Sequence, residues 1–222
     1  MIYYPIIFIA MIAIVNWLSV WKKWRIVEYI TKPATMLALL LWIWQSVGLG
    51  GPMIWFTIGL FFCLVGDVLL MIPRDMFIFG LIAFLVGQVC YVIGLNNLPP
   101  YINLWGGLVI IVLAVYVGWL YPKLVAGLKA KGNSKLNIPV LIYSLVISLM
   151  VYSALLAFTR TGWPTRAAIA VSLGAILFYI SDSILAWNRF INPVPNGRVL
   201  NMVAYHLGQF GIILGAMLHL TI

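Results

Sequence analysis

Two carboxylates stand inside long apolar segments of this chain. Asp67 is followed seven residues later by Arg74, and Asp182 is followed seven residues later by Arg189. An ionisable side chain among apolar residues is costly unless it faces the protein interior or water, so such a residue indicates a functional site. Two of them in the same local setting strengthen that interpretation. The alternative for each is a buried polar group that only holds neighbouring helices together.

A pair of carboxylates with no evident nucleophile indicates acid–base chemistry. One carboxylic acid that keeps its proton in an apolar site can donate it, while an ionised partner can stabilise a cation or activate water. This division of roles suits cleavage through an oxocarbenium-like cation, as in glycoside hydrolysis. An enol ether is the lipid counterpart, because its protonation, hydration and collapse give an aldehyde and an alcohol. The residue types permit this reaction without singling it out.

Other polar side chains in or next to the apolar segments are candidates for substrate binding. His206 and Gln209 are three residues apart and share a helix face. Tyr179 precedes Asp182 by three residues and is placed to donate a hydrogen bond to it. For each candidate the alternative is a structural role in packing or hydrogen bonding. The predicted substrate-binding residues from these patterns are Lys32, Gln88, Tyr91, Asn137, Tyr179, His206 and Gln209.

The sequence predicts neither a cofactor nor a metal. It contains no Gly-x-Ser-x-Gly, no His-Glu-x-x-His, no cysteine pairs at zinc spacing and no phosphate loop. A zinc ion would have to use Asp67, Asp182 and His206. The remaining acidic residues, Glu28 and Asp75, are interpreted as charges in short loops.

The elements that carry these residues are predicted to be transmembrane helices. Of the 222 residues, 65% are hydrophobic and 8% are charged, whereas a soluble domain has about 25% charged residues. The apolar runs are long and uninterrupted, which favours helices over a barrel. The predicted fold is all-α, with residues 1–222 as one transmembrane domain and Gly, Pro or Asn turns such as 96–100 between spans. The eight spans lie near 3–21, 32–48, 52–73, 76–95, 103–122, 137–159, 164–187 and 199–220.

The basic residues predict an orientation. The net charge of +9 is spread over loops between the spans, which indicates orientation bias and anionic lipid, not nucleic acid. With eight spans, eleven Lys and Arg residues fall on one side and two on the other. That split predicts that both termini lie outside the cytoplasm. Both aspartates then lie roughly 10 Å from the cytoplasmic boundary, in what we expect to be a bacterial plasma membrane.

A short internal echo suggests a duplicated design. Gly87-Gln88 is followed by Gly94, and Gly208-Gln209 is followed by Gly215, at the same spacing. Together with the two aspartate segments, this predicts two four-helix halves in parallel orientation. The glycines themselves are interpreted as sites of close helix packing.

The chain resembles the lysoplasmalogenase (YhhN-like) family of membrane proteins over nearly its whole length. The resemblance implies hydrolysis of the vinyl-ether bond of lysoplasmalogens, giving a fatty aldehyde and a glycerophospho-base, with a lysophospholipid as substrate. It places Asp67 and Asp182 on the family's two characteristic aspartates and adds Tyr205 to the substrate-binding set. Many members have His at the position of Gln88 and an aromatic residue at that of His206. The segments that carry the resemblance are Lys32-Pro33, Gly66-Asp67-Val68-Leu69-Leu70, the stretch 84–91, and the stretch 174–182 with Tyr205 and Gln209 after it.

Two other functions fit parts of the sequence. Paired intramembrane carboxylates and a repeat also suit a small transporter or proton-coupled carrier, although both aspartates are predicted near one membrane face. A lipid-binding protein without turnover would use the same aspartates to hold its helices in register. The oligomeric state stays open. In the hydrolase hypothesis the lysolipid enters between helices from the inner leaflet, and Lys32 meets its headgroup.

Overall fold

Eight helices form the protein in the computed structural model, which describes residues 3–96 and 103–220. Each is long and apolar enough to cross a membrane. Within these ranges all regular structure is helical, which confirms the all-α, eight-helix prediction. The predicted turn at residues 97–100 lies outside the described residues. The helices are α1 (Tyr3–Lys22), α2 (Arg25–Ser46), α3 (Ile54–Met71), α4 (Phe77–Leu95), α5 (Leu104–Ala130), α6 (Asn137–Leu155), α7 (Thr165–Ala186) and α8 (Gly197–Leu220).

The outer surface of the bundle is apolar. On α5, Ile111, Val112 and Val115 are 60%, 66% and 67% exposed. A helix satisfies its own backbone hydrogen bonds, so such a face is stable against lipid tails and unfavourable in water. The protein is therefore an integral membrane protein, with α5 at the edge of the bundle.

Two hairpins, α3–α4 and α7–α8, are packed at backbone distance. A Cβ built on Gly208 would lie 2.7 Å from the Phe178 backbone nitrogen, and one on Gly87 would lie 2.9 Å from the Gly59 carbonyl oxygen. Only glycine permits helices to approach this closely, so the predicted packing role of these glycines is confirmed. The two hairpins carry Asp67 on α3 and Asp182 on α7.

The start of α2 differs from the prediction. Lys32-Pro33 does not open this helix, because α2 begins at Arg25 and has Pro33 in its interior. The chain reverses through Lys23, which adopts a positive φ of 60°, so the turn between α1 and α2 needs only two residues. The basic residues between the predicted spans 3–21 and 32–48 are typical of a longer loop. The earlier start carries Lys32 two turns into the bundle.

Two other helices extend further than predicted. The helix α5 continues to Ala130 with Pro122 in its interior, and α7 continues into a π-helical turn over Trp187–Ile191. The helix α6 begins at Asn137, as predicted. Both extensions lie at the same end of the bundle. This end carries the connections α1–α2, α3–α4, α5–α6 and α7–α8, and we call it the basic end.

Candidate active site

Both aspartates line one cavity near the basic end. This cavity, the polar chamber, has a volume of about 220 Å³. It lies between α2, α3, α7 and α8, where each hairpin presents its aspartate toward the other. The side chains that give it its polar character are Glu28, Lys32, Asp67, Asp182, Arg198 and Tyr205.

Asp67 is buried, and each of its carboxylate oxygens contacts a different side chain. Its Oδ1 lies 2.9 Å from Lys32 Nζ, and its Oδ2 accepts a hydrogen bond of 2.7 Å from the Tyr205 hydroxyl. Asp67 is 1% exposed and Lys32 6%, so this is a buried ion pair. Each charge depends on the other, because removal of one would leave its partner uncompensated. Lys32, predicted to meet a headgroup at the membrane surface, instead contacts the candidate catalytic carboxylate.

A chain of hydrogen bonds leads to Asp67 from deeper in the bundle. The Tyr91 hydroxyl donates to Gln209 Oε1 at 2.7 Å, and Gln209 Nε2 donates to the Tyr205 oxygen at 3.5 Å. With the bond from Tyr205, every donor in the chain points toward Asp67. Tyr91 and Gln209 are fully buried and line neither the polar chamber nor the crevice described below. They are placed to orient Tyr205, whereas only Tyr205 reaches the chamber.

Asp182 has a different environment. Its Oδ2 is hydrogen-bonded to the Tyr143 hydroxyl, and it forms no ion pair with any residue in the described ranges. Tyr179, predicted to be its donor, shares a hydrogen bond of 2.8 Å with Ser148 instead. Asn201 Nδ2 donates to the Ser181 carbonyl at 2.7 Å and to its hydroxyl at 2.9 Å. That contact ties α8 to α7 beside Asp182.

A second cavity meets the polar chamber at Asp182. This apolar crevice, narrow with a volume of about 50 Å³, runs between α4, α5, α6 and α7. It shares the side chains of Leu70, Phe84, Asp182 and Leu185 with the chamber. Apart from these, the residues that define it are Phe77, Leu81, Leu120, Leu124, Tyr143 and Tyr179. Asp182 therefore stands at the boundary between a polar and an apolar compartment.

Besides Tyr91 and Gln209, three more predicted site residues line neither cavity. Gln88 is fully buried, and its amide forms no hydrogen bond of standard geometry with a described residue. His206 turns toward α1, where Trp17 Nε1 donates to its Nδ1 at 3.1 Å. Asn137 starts α6, and its carbonyl accepts a hydrogen bond of 3.2 Å from Tyr121. In the described ranges no group of three His, Cys, Asp or Glu side chains is arranged to hold a metal ion.

The sequence interpretation missed Glu28 and Tyr143. Glu28 is not a loop charge: it lies in α2, is 6% exposed, and its Oε1 accepts a 2.7 Å hydrogen bond from Arg198. A signal was present, because Glu28 and Lys32 have the i,i+4 spacing that places two residues on one helix face. The sequence contains no comparable signal for Tyr143. It is one of 11 tyrosines, and it contacts Asp182 only because α6 packs on α7.

Fold and site together define a class: an integral membrane protein with a paired-carboxylate site enclosed between its helices. The YhhN family model matches residues 27–216, and the chain belongs to this family, which confirms the resemblance. No solved structure matches the chain.

Curated relatives include mammalian and mycobacterial proteins. The chain is 30% identical over 196 residues to rat lysoplasmalogenase TMEM86B, covering 86% of this chain and 73% of the rat protein. It is also 30% identical over 196 residues to the mouse TMEM86B lysoplasmalogenase, covering 76% of that protein. The lysoplasmalogenase of Mycobacterium tuberculosis (strain CDC 1551 / Oshkosh) is 34% identical over 145 residues, which cover 62% of this chain and 50% of that protein.

Proposed function

We propose that this protein is an intramembrane hydrolase that cleaves the vinyl-ether bond of lysoplasmalogens to a fatty aldehyde and a glycerophospho-base. The observation that carries the proposal is the position of Asp182 at the junction of the polar chamber and the apolar crevice. The names of the relatives supply the substrate class. A lysolipid has the same division, with a polar headgroup and an alkenyl chain that meet at the ether.

The two cavities suggest how such a substrate lies. The headgroup occupies the polar chamber, and the chain follows the apolar crevice toward α5, the helix at the edge of the bundle. The vinyl ether, which joins the two parts, then lies next to Asp182. The crevice is narrow, so we expect the chain to enter by separation of its walls from the bilayer side.

Asp182 is the proposed acid. No cation pairs with it in the described part of the chain, and an uncompensated charge in an apolar setting is costly. The neutral carboxylic acid is therefore the form we assign to it before reaction. It donates its proton to the β-carbon of the vinyl ether, and the π electrons of the double bond form the new C–H bond. The α-carbon and the ether oxygen then share the positive charge of an oxocarbenium ion.

Asp67 is the proposed base. Lys32 and Tyr205 favour its ionised form, and its Oδ1 receives no hydrogen bond of standard geometry from the described residues. In our proposal Asp67 holds the attacking water and accepts its proton as the oxygen adds to the α-carbon. The hemiacetal breaks its C–O bond to the glycerol, whose oxygen takes up the hydroxyl proton. The proton on Asp67 returns to Asp182 and completes the cycle.

The membrane arrangement belongs to the same proposal. Residues 1–222 form one transmembrane domain, with the basic end in the cytoplasm and both termini outside. The excess of Lys and Arg at the basic end supports this orientation. The polar chamber then opens near the inner leaflet of what we propose is a bacterial plasma membrane.

Aldehyde release from the purified protein in detergent tests the proposal. Wild type and Asp182→Asn are each given a lysoplasmalogen and its saturated-ether analogue, with melting curves for both proteins. We expect aldehyde from the vinyl ether alone, and none above background from the folded variant. Folded wild type that releases no aldehyde would contradict the hydrolase assignment. Equal turnover by both proteins would contradict the role of Asp182.

A further inference from the structure

The apolar crevice is too small for the hydrocarbon chain that the proposed substrate brings. Its volume of about 50 Å³ compares with about 300–1,000 Å³ for pockets that enclose a small-molecule ligand. A long alkenyl chain that starts at Asp182 therefore cannot end inside the crevice. The remainder of the chain needs a neighbouring space, and that space must be apolar.

The pockets that adjoin the crevice at the basic end are unsuited to a hydrocarbon chain. They share Phe77 with the crevice and are lined by Asp75 and Arg189, which form an exposed ion pair of 2.8 Å. A chain placed there would displace water from charged groups, which is unfavourable. We therefore expect the remainder of the chain on another side of the crevice.

A groove between α5 and α7, on the side of the bundle that faces the bilayer, provides this space. The lateral groove has a volume of about 310 Å³. It shares the side chains of Leu120 and Ser183 with the crevice, so these two residues separate the crevice from the bilayer. Ser183 directly follows Asp182, which places this wall next to the proposed acid. The other residues that line the groove are Tyr116, Trp119, Ile180, Ile184, Trp187 and Val194.

The packing of α5 explains why the groove exists. This helix packs closely on α6 and on the π-helical turn that follows α7, whereas its backbone scarcely approaches α7 itself. At the π-helical turn the close approach requires glycine, because a Cβ on Gly127 would collide with the carbonyl oxygen of Phe190. Side chains therefore fill the gap between α5 and α7, and side chains can change rotamer without a movement of the helices.

Aromatic pairs flank the lateral groove. Toward the basic end, Trp119 and Trp187 stack with ring centroids 5.8 Å apart, and Lys123 Nζ lies 3.8 Å from the centroid of the Trp119 ring. Toward the middle of the bundle, the rings of Tyr116 and Tyr179 have centroids 5.2 Å apart. Tryptophan and lysine are typical of the membrane interface. The groove thus runs from the level of the lipid headgroups into the hydrocarbon region.

We propose that the lateral groove binds the distal part of the hydrocarbon chain of a single-chain ether lysolipid and releases the fatty aldehyde into the bilayer. The chain passes between Leu120 and Ser183, with its ether end at Asp182 and its far end among lipid tails. After the hemiacetal breaks, the aldehyde leaves along this path and the headgroup product leaves through the polar chamber. This inference rests on the proposed lysolipid substrate and adds the site of its chain.

Photolabelling tests the chain site without turnover. The probe is a saturated hexadecyl ether lysophospholipid with a diazirine near the end of its chain, bound to wild type in lipid nanodiscs and mapped by mass spectrometry. We expect the probe to label groove residues such as Ile184, and an excess of about tenfold of the unlabelled lysolipid to reduce that labelling about tenfold by competition. Ile111 is the control position, because it is exposed and lies about two and a half turns from Leu120, on the opposite face of α5. Bulk lipid labels Ile111, so the competitor should not reduce its labelling.

Ser183→Leu tests whether the chain passes the wall between crevice and groove. The leucine fills this opening, so the hexadecyl lysolipid should bind about tenfold more weakly relative to a butyl analogue whose chain ends inside the crevice, a typical cost of overpacking. Ala114→Leu is the matched control, because it adds the same side chain to an exposed position of α5 outside the groove. It should leave the ratio of the two Kd values unchanged. A folding defect would weaken both lipids together.

The possible results separate the chain site from the hydrolase. Groove labelling that the competitor does not reduce would reveal bulk lipid only and would overturn the proposal. Competed labelling confined to the basic-end pockets, or an unchanged Kd ratio in Ser183→Leu, would also overturn it. Aldehyde release from the hexadecenyl vinyl ether is measured in parallel. Competed labelling without aldehyde would keep the chain site and reject the hydrolase, and aldehyde without competed labelling would do the reverse.

Discussion

Asp67 and Asp182 each lie in an apolar segment seven residues before an arginine, yet the two hairpins give them different partners. Asp67 has a cation and a hydroxyl, from Lys32 and Tyr205. Asp182 has a single hydroxyl, from Tyr143, and borders the apolar crevice. The local sequence surrounds both carboxylates with apolar residues, and the neighbouring helices α2, α6 and α8 make them chemically unequal.

This inequality is what acid–base catalysis requires. A site works as an acid and a base when its surroundings favour opposite protonation states in two titratable groups. Here a buried cation, Lys32, favours the ionised form of Asp67. No described cation pairs with Asp182, so its neutral form is favoured. The comparison therefore yields tests in which the same substitution has different consequences in the two hairpins.

Asp182→Asn should have the largest effect on turnover. Loss of a general acid lowers the rate by about 10²–10⁴-fold. No charge is left unpaired, so the free energy of unfolding should change by less than about 1 kcal/mol. Single-turnover aldehyde release and a chemical denaturation curve measure the two quantities. Substantial turnover in the variant would show that the acid lies elsewhere.

Asp67→Asn should instead reduce both stability and turnover. It leaves the ammonium of Lys32 buried without its partner, which costs about 3–5 kcal/mol. The double variant with Lys32→Met removes both charges and should recover most of the stability but none of the activity. Denaturation curves of wild type, both single variants and the double variant give the coupling energy. Additive effects would rule out the buried ion pair as the source of the difference.

The two tyrosines form the next pair of tests. Tyr205→Phe removes a hydrogen bond to an ionised carboxylate, worth about 1.5–3 kcal/mol, whereas Tyr143→Phe removes one between neutral groups, worth about 0.5–1.5 kcal/mol. We therefore expect the first change to be the more destabilising in denaturation measurements. Equal losses would indicate that both aspartates are ionised before reaction, against the assignment of Asp182 as acid.

The sequence was sufficient for the fold because its signal is local. Each apolar run specifies one spanning helix, independently of the other runs. The depth of both aspartates, which rests on helix geometry, stays a prediction. The start of α2 was misjudged because a run of basic residues resembles a loop until Lys23 is seen to turn the chain. Lys32 and Glu28 were then assigned to the membrane surface although the structure buries them.

The partners of the aspartates could not be predicted in the same way. Tyr143 and Asp182 are 39 residues apart, and Tyr205 and Asp67 are 138 apart. Which tyrosine reaches which carboxylate depends on helix packing and rotation, and a single sequence carries no signal for either. Tyr179 was the nearest aromatic residue to Asp182 along the chain, and it turned to Ser148 instead.

Tyr91→Phe should have the smallest effect of the series. Tyr91 acts on Asp67 only through Gln209 and Tyr205, so its loss frees Gln209 Oε1 without touching the chamber. We expect a loss of stability of about 1 kcal/mol and a decrease in kcat smaller than that of Tyr205→Phe, with KM unchanged. Tyr121→Phe is the control, because it also loses one hydroxyl contact, to the carbonyl of Asn137, and neither residue lines the chamber or the crevice. Equal kcat in these two variants would mean that Tyr91 has only a packing role. A lower kcat in Tyr91→Phe alone would show that Tyr91 helps to orient Asp67 through Gln209 and Tyr205.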